Sequence, residues 1–562
     1  MLFDETDTEE SGDSESDMSS LDNGFSRMQF ESSSSEEQVT YDGDDDVDSQ
    51  VWSEIESESD IEFSEGYGMI EEVPANSEGS AINPIDCYRH FTTDEIISLM
   101  VRETNRYAEQ HVQTQELTRR SKTLQWKPTT NEEMLKFLGI IIQMGLVRMP
   151  EIEYYWSKSK LFGSEVIQNT MSRDRFELLL KFFHLLNNQE EHADQDRLFK
   201  LRPLLDSLRA RFKSIYVPGS VISIDESMVP WEGRLLFKQY IPGKAHKYGV
   251  KIFKLASTNG YTWNFMVYTS KQAPTAGLGH AQTVVLDLAD GLLECHRTVV
   301  VDNFFTSISL TESLLQNDTY LIGTLRSNRA RSGQGVVQKK LKRGEVYWLQ
   351  SNGGIKLIKW KDKRDVLMIS TKPSHSATLV DTGKTNKANQ RIMKPSVVLD
   401  YNKGKQGIDL SDQLSAYYTC LRRSKKWYHT VAFEMIFGVS IVNAYLIYKE
   451  YYGTNIMTIL QFRESLVRSL LLGVPFKNVK PGPRERSTSQ TKRKLADHEL
   501  EQMEESGRDV RRRCAGCYAK IRENSLSQGK YEVHTGVQHD VSNEKVKISS
   551  DETSSSGETL IS

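Results

Sequence analysis

Cysteine is scarce in this chain of 562 residues, and the cysteines present are odd in number and widely spaced. Such usage argues against a disulfide scaffold and for a reducing compartment. The five are Cys87, Cys295, Cys420, Cys514 and Cys517. The amino terminus also lacks the pattern of a signal peptide. The composition therefore argues against a small secreted protein held together by disulfides.

Long apolar runs are equally scarce. The most apolar stretch, residues 431–448, contains Glu434 and Asn443. A spanning helix needs about 20 predominantly apolar residues, so we interpret this stretch as a buried helix and expect no membrane partner.

Basic residues are nearly absent from the first 80 positions. This segment holds 26 Asp or Glu residues and one basic residue, Arg27, so its formal charge is −25. Residues 81–562 hold 51 acidic and 70 basic residues, which gives +19. The overall charge of −6 conceals this division. A basic body indicates a nucleic-acid partner.

Residues 1–84 are rich in Ser, Asp and Glu and poor in apolar residues. Such a segment cannot bury enough surface to offset the entropy lost on ordering, so we predict that it is disordered. It is either a solvated acidic tail or an intramolecular decoy that competes with DNA for the basic body.

Residues 85–220 show helical periodicity and form a predicted helical block. In the segment 130–149, Thr130 is placed to cap a helix whose first turn contains Glu132 and Glu133. Two later segments, 172–188 and 194–216, combine an apolar stripe with Arg and Lys on their other faces. Those basic faces are either ordinary solvated surface or contacts to nucleic acid.

At residue 221 the pattern changes to short β-branched runs. Three predicted strands, a helix, a strand, a second helix and a fifth strand follow in order over residues 221–328, which indicates an α/β unit with a mixed sheet. Residues 329–394 contain three further strand-like runs separated by Lys-rich and Gly-rich turns, and we predict a β-rich insertion.

The chain then returns through a turn-rich stretch, KPSVVLDYNKGKQG, to a helix start within residues 395–417. A second helical block covers 418–478, and residues 479–562 are a basic linker followed by a polar tail.

Two aspartates follow apolar strands of the α/β unit. Asp225 ends the run VISID and Asp302 ends TVVVD, so we expect both at the carboxyl ends of strands, where ligands collect. Each alone could simply cap a turn. Together, two buried carboxylates would repel each other without a cation, and oxygen ligands suit Mg²⁺ or Mn²⁺ better than zinc.

Asp409 and Asp412 lie three residues apart at the start of a predicted helix, which places them on one face. Either or both could complete a metal site. Aspartate is also common at helix starts for capping and dipole reasons, so this pair alone decides nothing.

Two clusters combine cations, which hold phosphates, with aromatic rings, which stack on unpaired bases. We predict that both contact DNA. The first cluster consists of Arg234, Lys238, Lys244, His246, Lys247 and Lys251, with aromatic residues between them. The second consists of Arg422, Arg423, Lys425, Lys426 and Trp427.

The carboxyl-terminal region contains a CxxC pair, Cys514 and Cys517, with His534 and His539 further along. The spacing is longer than usual for a two-Cys, two-His finger, so we expect weak zinc binding or none. The basic runs TKRKL and RDVRRRC are typical either of a nuclear address or of a nonspecific DNA-binding tail.

Four segments, in order, closely resemble the core motifs of the piggyBac transposase family. They are IDESMVPWEGR, YIPGKAHKYGVKIF, VVVDNFFTS, and GIDLSDQL followed by RRSKKWYHTVAFEMI. The resemblance covers roughly residues 85–520. It implies a ribonuclease-H-like core (221–328 and 395–417), a helical dimerisation and DNA-binding domain split between 85–220 and 418–478, and a β-rich insertion (329–394).

The resemblance also implies a chemistry. Asp225, Asp302 and Asp409 would be the catalytic carboxylates that hold two Mg²⁺ or Mn²⁺ ions, with Asp412 as a further acidic member of the metal site. The reaction would be cut-and-paste transposition at TTAA sites by a nuclear homodimer.

The sequence departs from the family pattern at its end, where HTGVQHDVSNEKVK replaces the later cysteines of a Cys-rich zinc domain. Two hypotheses therefore remain. The intact carboxylates favour an active transposase, whereas the altered tail favours a host-adopted derivative that binds DNA without mobilising it. A simple metal-dependent nuclease would not need the helical blocks.

Overall fold

The fold was analysed in a computed structural model. It describes residues 51–54, 58–73, 82–114, 118–189, 196–242, 244, 246–269, 279–376, 378–385, 389–453 and 457–473. The strands are β1 Trp52–Ser53, β2 Gly68–Met69, β3 Tyr216–Val217, β4 Val221–Pro230, β5 Gln239–Tyr240, β6 Tyr248–Ser257, β7 Thr262–Val267, β8 Thr298–Val301, β9 Tyr320–Thr324, β10 Val346–Ser351, β11 Lys356–Lys361, β12 Asp365–Ser370, β13 Leu379–Thr385 and β14 Arg391–Pro395.

The helices lie before, between and after these strands. They are α1 Pro84–Phe91, α2 Asp94–Thr114, α3 Asn131–Leu146, α4 Glu165–Thr170, α5 Arg173–Phe182, α6 Arg202–Ile215, α7 His280–Ala289, α8 Ile308–Gln316, α9 Gln334–Gln338, α10 Ser396–Gly404, α11 Gln406–Ala416, α12 Trp427–Phe433, α13 Ser440–Tyr452 and α14 Ile459–Val467. A π-helical turn, Glu434–Val439, joins α12 to α13.

The central sheet has the strand order β7, β6, β4, β8, β9. β4, β6 and β7 are antiparallel, whereas β8 and β9 run parallel to β4, with α7 and α8 as the connections. This is a mixed sheet flanked by helices, consistent with a ribonuclease-H-like core. The predicted order of strands and helices over residues 221–328 is confirmed.

Three strands of the insertion join the central sheet, whereas β13 and β14 form a separate two-stranded sheet. β10, β11 and β12 are antiparallel neighbours, and β12 pairs with β9 of the central sheet. The outer edge of β9 exposes backbone groups that need partners, and β12 supplies them. The strands predicted in residues 329–394 are therefore present, but β10–β12 extend the core sheet instead of forming a separate lobe.

Helices before and after the sheet pack against each other. A Cβ atom on Gly139 of α3 would lie 2.6 Å from Leu471 beyond α14, which shows how closely these segments approach. Thr130 caps α3 as predicted, because its side chain accepts a hydrogen bond from the Glu133 backbone N–H. Among the described residues, the only helix long and apolar enough to cross a membrane is Trp427–Tyr452, and 94% of its most apolar window is buried inside the protein.

One segment that we expected to be turn-rich is helical. Residues 396–404 form α10, whose Val397 and Val398 are buried against Ile358 and Trp360 of the insertion. Burial of this valine pair outweighs the weak helix propensity of the Asn and Gly residues that follow.

We expected residues 1–84 to be disordered, but part of this acidic segment pairs with the body of the protein. β1 pairs with the edge strand β10, and β2 pairs with β3. Residues 58–73, the acidic strap, also form ion pairs with the body. These join Asp60 to Lys372 (2.8 Å), Glu65 to Arg297, and Glu71 to Arg211 (3.1 Å). The basic partners and the open sheet edge compensate for the conformational entropy that these acidic residues lose on ordering. Composition alone does not reveal such partners.

Candidate active site and nucleic-acid interface

Asp225 and Asp302 lie side by side at the carboxyl end of the parallel strand pair β4 and β8. Ile224 is in register with Val301, so the next residue of each chain segment is one of these aspartates. Asp302 follows β8 directly. We had expected Asp225 to end its strand. This prediction was wrong, because β4 continues to Pro230 in its pairing with β6. The two carboxylates are nevertheless brought together, as the sequence predicted.

Both carboxylates are costly to ionise. Burial raises the pKa of Asp225 to about 7, Glu226 and Asp302 add to the rise, and Lys244 opposes it. Burial also raises the pKa of Asp302, and the charge of Glu226 adds to the effect. The fold thus holds acidic groups close enough to disfavour the ionised forms of Asp225 and Asp302.

Backbone donors and a lysine orient these side chains. Asp225 Oδ1 accepts from the Glu226 backbone N–H (2.7 Å), and Asp302 Oδ1 accepts from the Phe304 N–H (2.9 Å). Lys244 Nζ lies 4.0 Å from Asp225 Oδ2 and donates to the Glu226 carbonyl (2.6 Å).

The loop after Asp302 is held from the other side by the segment that follows β9. The Arg329 guanidinium donates to the carbonyls of Phe304 and Thr306, both at 2.9 Å. Arg329 thus holds the loop whose Phe304 N–H binds the Asp302 carboxylate.

Asp409 lies within electrostatic range of the same tyrosine as the two strand aspartates. It is exposed in the first turn of α11. Burial raises the pKa of Tyr401 in α10 to about 12, and the charges of Asp302, Asp225 and Asp409 all add to the rise. Tyr401 thus lies near all three carboxylates, and our sequence reasoning missed it.

Asp412 is held by protein donors. Lys254 Nζ lies 2.8 Å from its Oδ1, and Ser227 Oγ lies 2.8 and 2.7 Å from its two oxygens. The Lys254 side chain is only 2% exposed. The spacing of three from Asp409 suggested a shared role, but the structure gives Asp412 different neighbours.

The side chains as placed do not form a closed metal cage: within the described ranges, no group of three or more His, Cys, Asp and Glu residues is close enough to hold an ion. The donor chemistry nevertheless fits a hard divalent cation. The raised pKa values of Asp225 and Asp302 show carboxylates whose ionised forms lack compensating positive charge, and such oxygens suit Mg²⁺ or Mn²⁺.

The first basic cluster divides into exposed and engaged residues. Arg234, His246 and Lys247 are exposed. Lys238 donates to the Glu232 and Gly233 carbonyls. Lys244 belongs to the carboxylate site.

Lys251, predicted as a DNA contact, is only 9% exposed. Its ammonium lies 4.6 to 5.0 Å from the centroids of the Phe253, Tyr268 and Phe304 rings. Lys251 therefore packs against these three rings inside the fold, and its ammonium does not reach the surface.

The second cluster divides in the same way. Arg423 and Lys425 are exposed, whereas Arg422 donates to the Met149 carbonyl (3.1 Å) and Lys426 donates to the Lys181 carbonyl (2.7 Å). These two bonds tie the segment to the helices before the sheet. The same segment, with residues of α3, α5 and α12, lines a cleft of about 350 Å³.

The structure brings the two clusters together. Trp427 meets Phe237 edge to face, with ring centroids 5.2 Å apart, and Arg423 lies 3.7 Å from Glu232. Nearly two hundred residues separate these segments in the sequence, so their adjacency is a finding of the structure.

Sequence reasoning also missed Glu226 and Lys254. Glu226 directly follows Asp225, and its position could have suggested a further acidic group. Lys254 interrupts the buried strand KYGVKIFKLAST, and a buried lysine requires a partner. Cys514 and Cys517 lie outside the described residues.

Comparisons with known proteins identify relatives of this chain. Residues 83–445 match the family described as Transposase IS4. The human protein "PiggyBac transposable element-derived protein 3" is 30% identical over 398 residues, 68% of this chain and 64% of that protein. The human "PiggyBac transposable element-derived protein 2" is 27% identical over 62% of this chain and 58% of that protein. The chain thus spans less than two thirds of the length of these relatives.

A solved structure, a piggyBac transposase synaptic complex with hairpin DNA determined by cryo-EM, matches with a TM-score of 0.60 and 26% identity. The match covers 74% of this chain and 85% of that chain. Together with the family match over residues 83–445, this shows that the chain belongs to the piggyBac transposase family.

Proposed function

We propose that this protein is a DNA transposase of the piggyBac type, which cleaves and transfers DNA strands at TTAA sites in a metal-dependent reaction. The observation that carries the proposal is that Asp225 and Asp302 follow paired residues of the parallel strands β4 and β8, while Asp409 acts on the same phenol, Tyr401, as these two carboxylates. The three residues come from distant segments, and the ligands of α/β sheets bind at the carboxyl ends of strands.

In this proposal Asp225, Asp302 and Asp409 hold two divalent ions, Mg²⁺ or Mn²⁺. Such ions would activate the attacking oxygen and stabilise the leaving oxygen of a phosphodiester. The protein's own part is orientation. Phe304 N–H fixes Asp302, Glu226 N–H fixes Asp225, and Lys244 places a positive charge beside the site.

The exposed cations next to this site would grip the DNA backbone. Arg234, His246, Lys247, Arg423 and Lys425 belong to two clusters that the Trp427–Phe237 contact joins. Phosphate contacts of this kind position DNA without reading its sequence. A homodimer would supply two such surfaces for two DNA ends, and a nuclear location fits the basic runs at residues 491–513.

A second candidate function is DNA binding without mobilisation, as in a host-adopted derivative. Two observations favour it: the human relatives are named as transposable element-derived, and the sequence departs from the family pattern after Cys517. The described part of the site does not separate the two functions, because a derivative can keep all its carboxylates.

Cleavage of the chain's own DNA ends separates them. The flanks of the gene are first searched for inverted repeats that abut TTAA; a duplex carrying such repeats is then incubated with the purified full chain in Mg²⁺ or in EDTA. We expect strand breaks at the TTAA junction only with Mg²⁺, and none with Asp302→Asn or Asp409→Asn, although these variants still bind the duplex. If the parent protein binds the duplex without breaking it, the DNA-binding function is supported instead of the transposase function. Full cleavage by either variant would refute the assignment of that aspartate to the catalytic site.

A further inference from the structure

We propose that Lys254 is a positioning residue: it ties Asp412 to β6 and so sets the helix that carries Asp409. In this arrangement Asp412 anchors α11 and does not hold an ion. The proposal deepens the proposed function, because it rests on Asp409 belonging to the active site, but its central test does not require activity.

The first step concerns the place of Lys254. It is the direct cross-strand partner of Asp225 in the β4–β6 pair, so both side chains project from the same face of the sheet. Its side chain is 2% exposed, and a buried ammonium is stable only with a charged or polar partner. Asp412 provides that partner at 2.8 Å.

The second step concerns Asp412. Besides Lys254, the Ser227 hydroxyl lies within 2.8 Å of both carboxylate oxygens. Ser227 and Lys254 come from neighbouring strands, so the carboxylate joins α11 to β4 and β6 at once. Protein donors thus contact both carboxylate oxygens of Asp412.

The third step concerns the rest of the helix. A Cβ on Gly407 would lie 2.3 Å from the Ser257 carbonyl oxygen, so only glycine permits this approach of α11 to β6. Farther along, Ser411 Oγ lies 3.2 Å from Thr262 Oγ1. Ser415 Oγ donates to the buried Glu434 at 2.7 Å.

These contacts place one face of α11 against the sheet through glycine and polar bonds, with Asp412 in the middle. Asp409 lies one turn before Asp412, and its direction follows from the seating of the helix. Among the described contacts of α11, the Asp412–Lys254 pair is the one between opposite full charges. Loss of Asp412 would leave the buried Lys254 ammonium without this partner, and loss of Lys254 would leave the part-exposed Asp412 carboxylate held only by Ser227.

The test compares the full chain with three variants: Lys254→Met, Asp412→Asn, and the double variant with both changes. Hydrogen exchange of the α11 backbone amides is measured in metal-free buffer. We expect at least tenfold faster exchange of α11 in each single variant. In the double variant no charge is left unpaired, and exchange should return part of the way towards the parent rate. Lys356→Met is the control, because Lys356 is a buried lysine of β11 that donates to the Pro373 and His375 carbonyls.

Unchanged α11 exchange in both single variants, with the parent chain showing protected amides, would overturn the proposal. So would equal acceleration in Lys356→Met. A second measurement, binding of Mn²⁺ alone followed by its paramagnetic resonance signal, separates positioning from ligation. Loss of Mn²⁺ binding in Asp412→Asn, with full retention in Lys254→Met, would show that Asp412 is a ligand. If the parent binds no Mn²⁺, the proposed metal site fails, whereas the exchange data still decide the role of Lys254.

Discussion

Asp225→Asn should stabilise the protein in the absence of metal while abolishing its proposed cleavage activity. Burial, reinforced by Glu226 and Asp302, raises the pKa of Asp225 to about 7 from 3.8. A group whose pKa is raised on folding contributes full stability below its unfolded pKa and loses that contribution as the pH rises through the folded value. Wild-type stability should therefore fall between about pH 4 and pH 7 through this group.

The magnitude follows from the size of the shift. Three pKa units correspond to about 4 kcal/mol at about 1.4 kcal/mol each. The Asp225 side chain is 30% exposed and Lys244 lies within reach, so we halve the figure to about 2 kcal/mol at pH 8. At pH 5 the folded carboxyl is largely protonated, and the same reasoning gives about 1 kcal/mol.

Urea unfolding of parent and Asp225→Asn proteins in EDTA at pH 5 and pH 8 measures both values. Asp290→Asn serves as the matched control, because Asp290 is an exposed aspartate on the same domain. Added Mn²⁺ should stabilise the parent more than Asp225→Asn. Equal or lower stability of Asp225→Asn at pH 8, or a gain that does not grow with pH, would refute the electrostatic reasoning.

Three further predictions concern other parts of the chain. Removal of residues 1–50, which hold 17 Asp or Glu and one Arg, should raise nonspecific DNA affinity at low salt without destabilising the body, whereas removal of residues 1–80 should also lower stability because it deletes the acidic strap. Identical DNA affinities of the full chain and the shortened chain in filter binding would indicate that residues 1–50 are only a solvated tail. Arg297→Leu should cost roughly 3 kcal/mol in urea unfolding, because the buried guanidinium donates to the Pro218, Gly219 and Leu292 carbonyls; an unchanged midpoint would contradict this. Cys514→Ser with Cys517→Ser should change neither zinc content nor bulk DNA binding, and a tightly held zinc that disappears in this variant would show a working site in the tail.

Periodicity predicted the core well because the core is where burial decides structure. The runs around Val301 and Ile322 are apolar on both faces, as expected of central strands covered on both sides, and the run around Ile224 is apolar on one face; each became a strand in the predicted order. The same reasoning brought Asp225 and Asp302 together, although β4 continues beyond Asp225 to Pro230. Local pattern was sufficient to pair the two aspartates because their adjacency follows from the strand order.

The remaining features depend on partners that lie far away in the sequence. Tyr401 appeared to belong to a turn-rich stretch, yet α10 forms because the insertion buries Val397 and Val398. Asp412 looked equivalent to Asp409 by spacing, and only the position of Lys254 in β6 distinguishes them. The charge of residues 58–73 predicted disorder because composition cannot show that Arg211, Arg297 and Lys372 present matching charges.

The insertion supports the carboxylate site instead of standing apart from it. β12 continues the sheet at β9, and Arg329, which follows β9, holds the loop after Asp302 through two carbonyls. On the other side of the insertion, Ile358 and Trp360 bury the valines of α10, the helix that carries Tyr401 and leads into α11. The chain therefore reaches Asp409 only through elements that the insertion stabilises. Asp302 and Asp409 both depend on these contacts. Substitutions within residues 329–394 should therefore change the geometry of the site even where the substituted residue does not contact DNA.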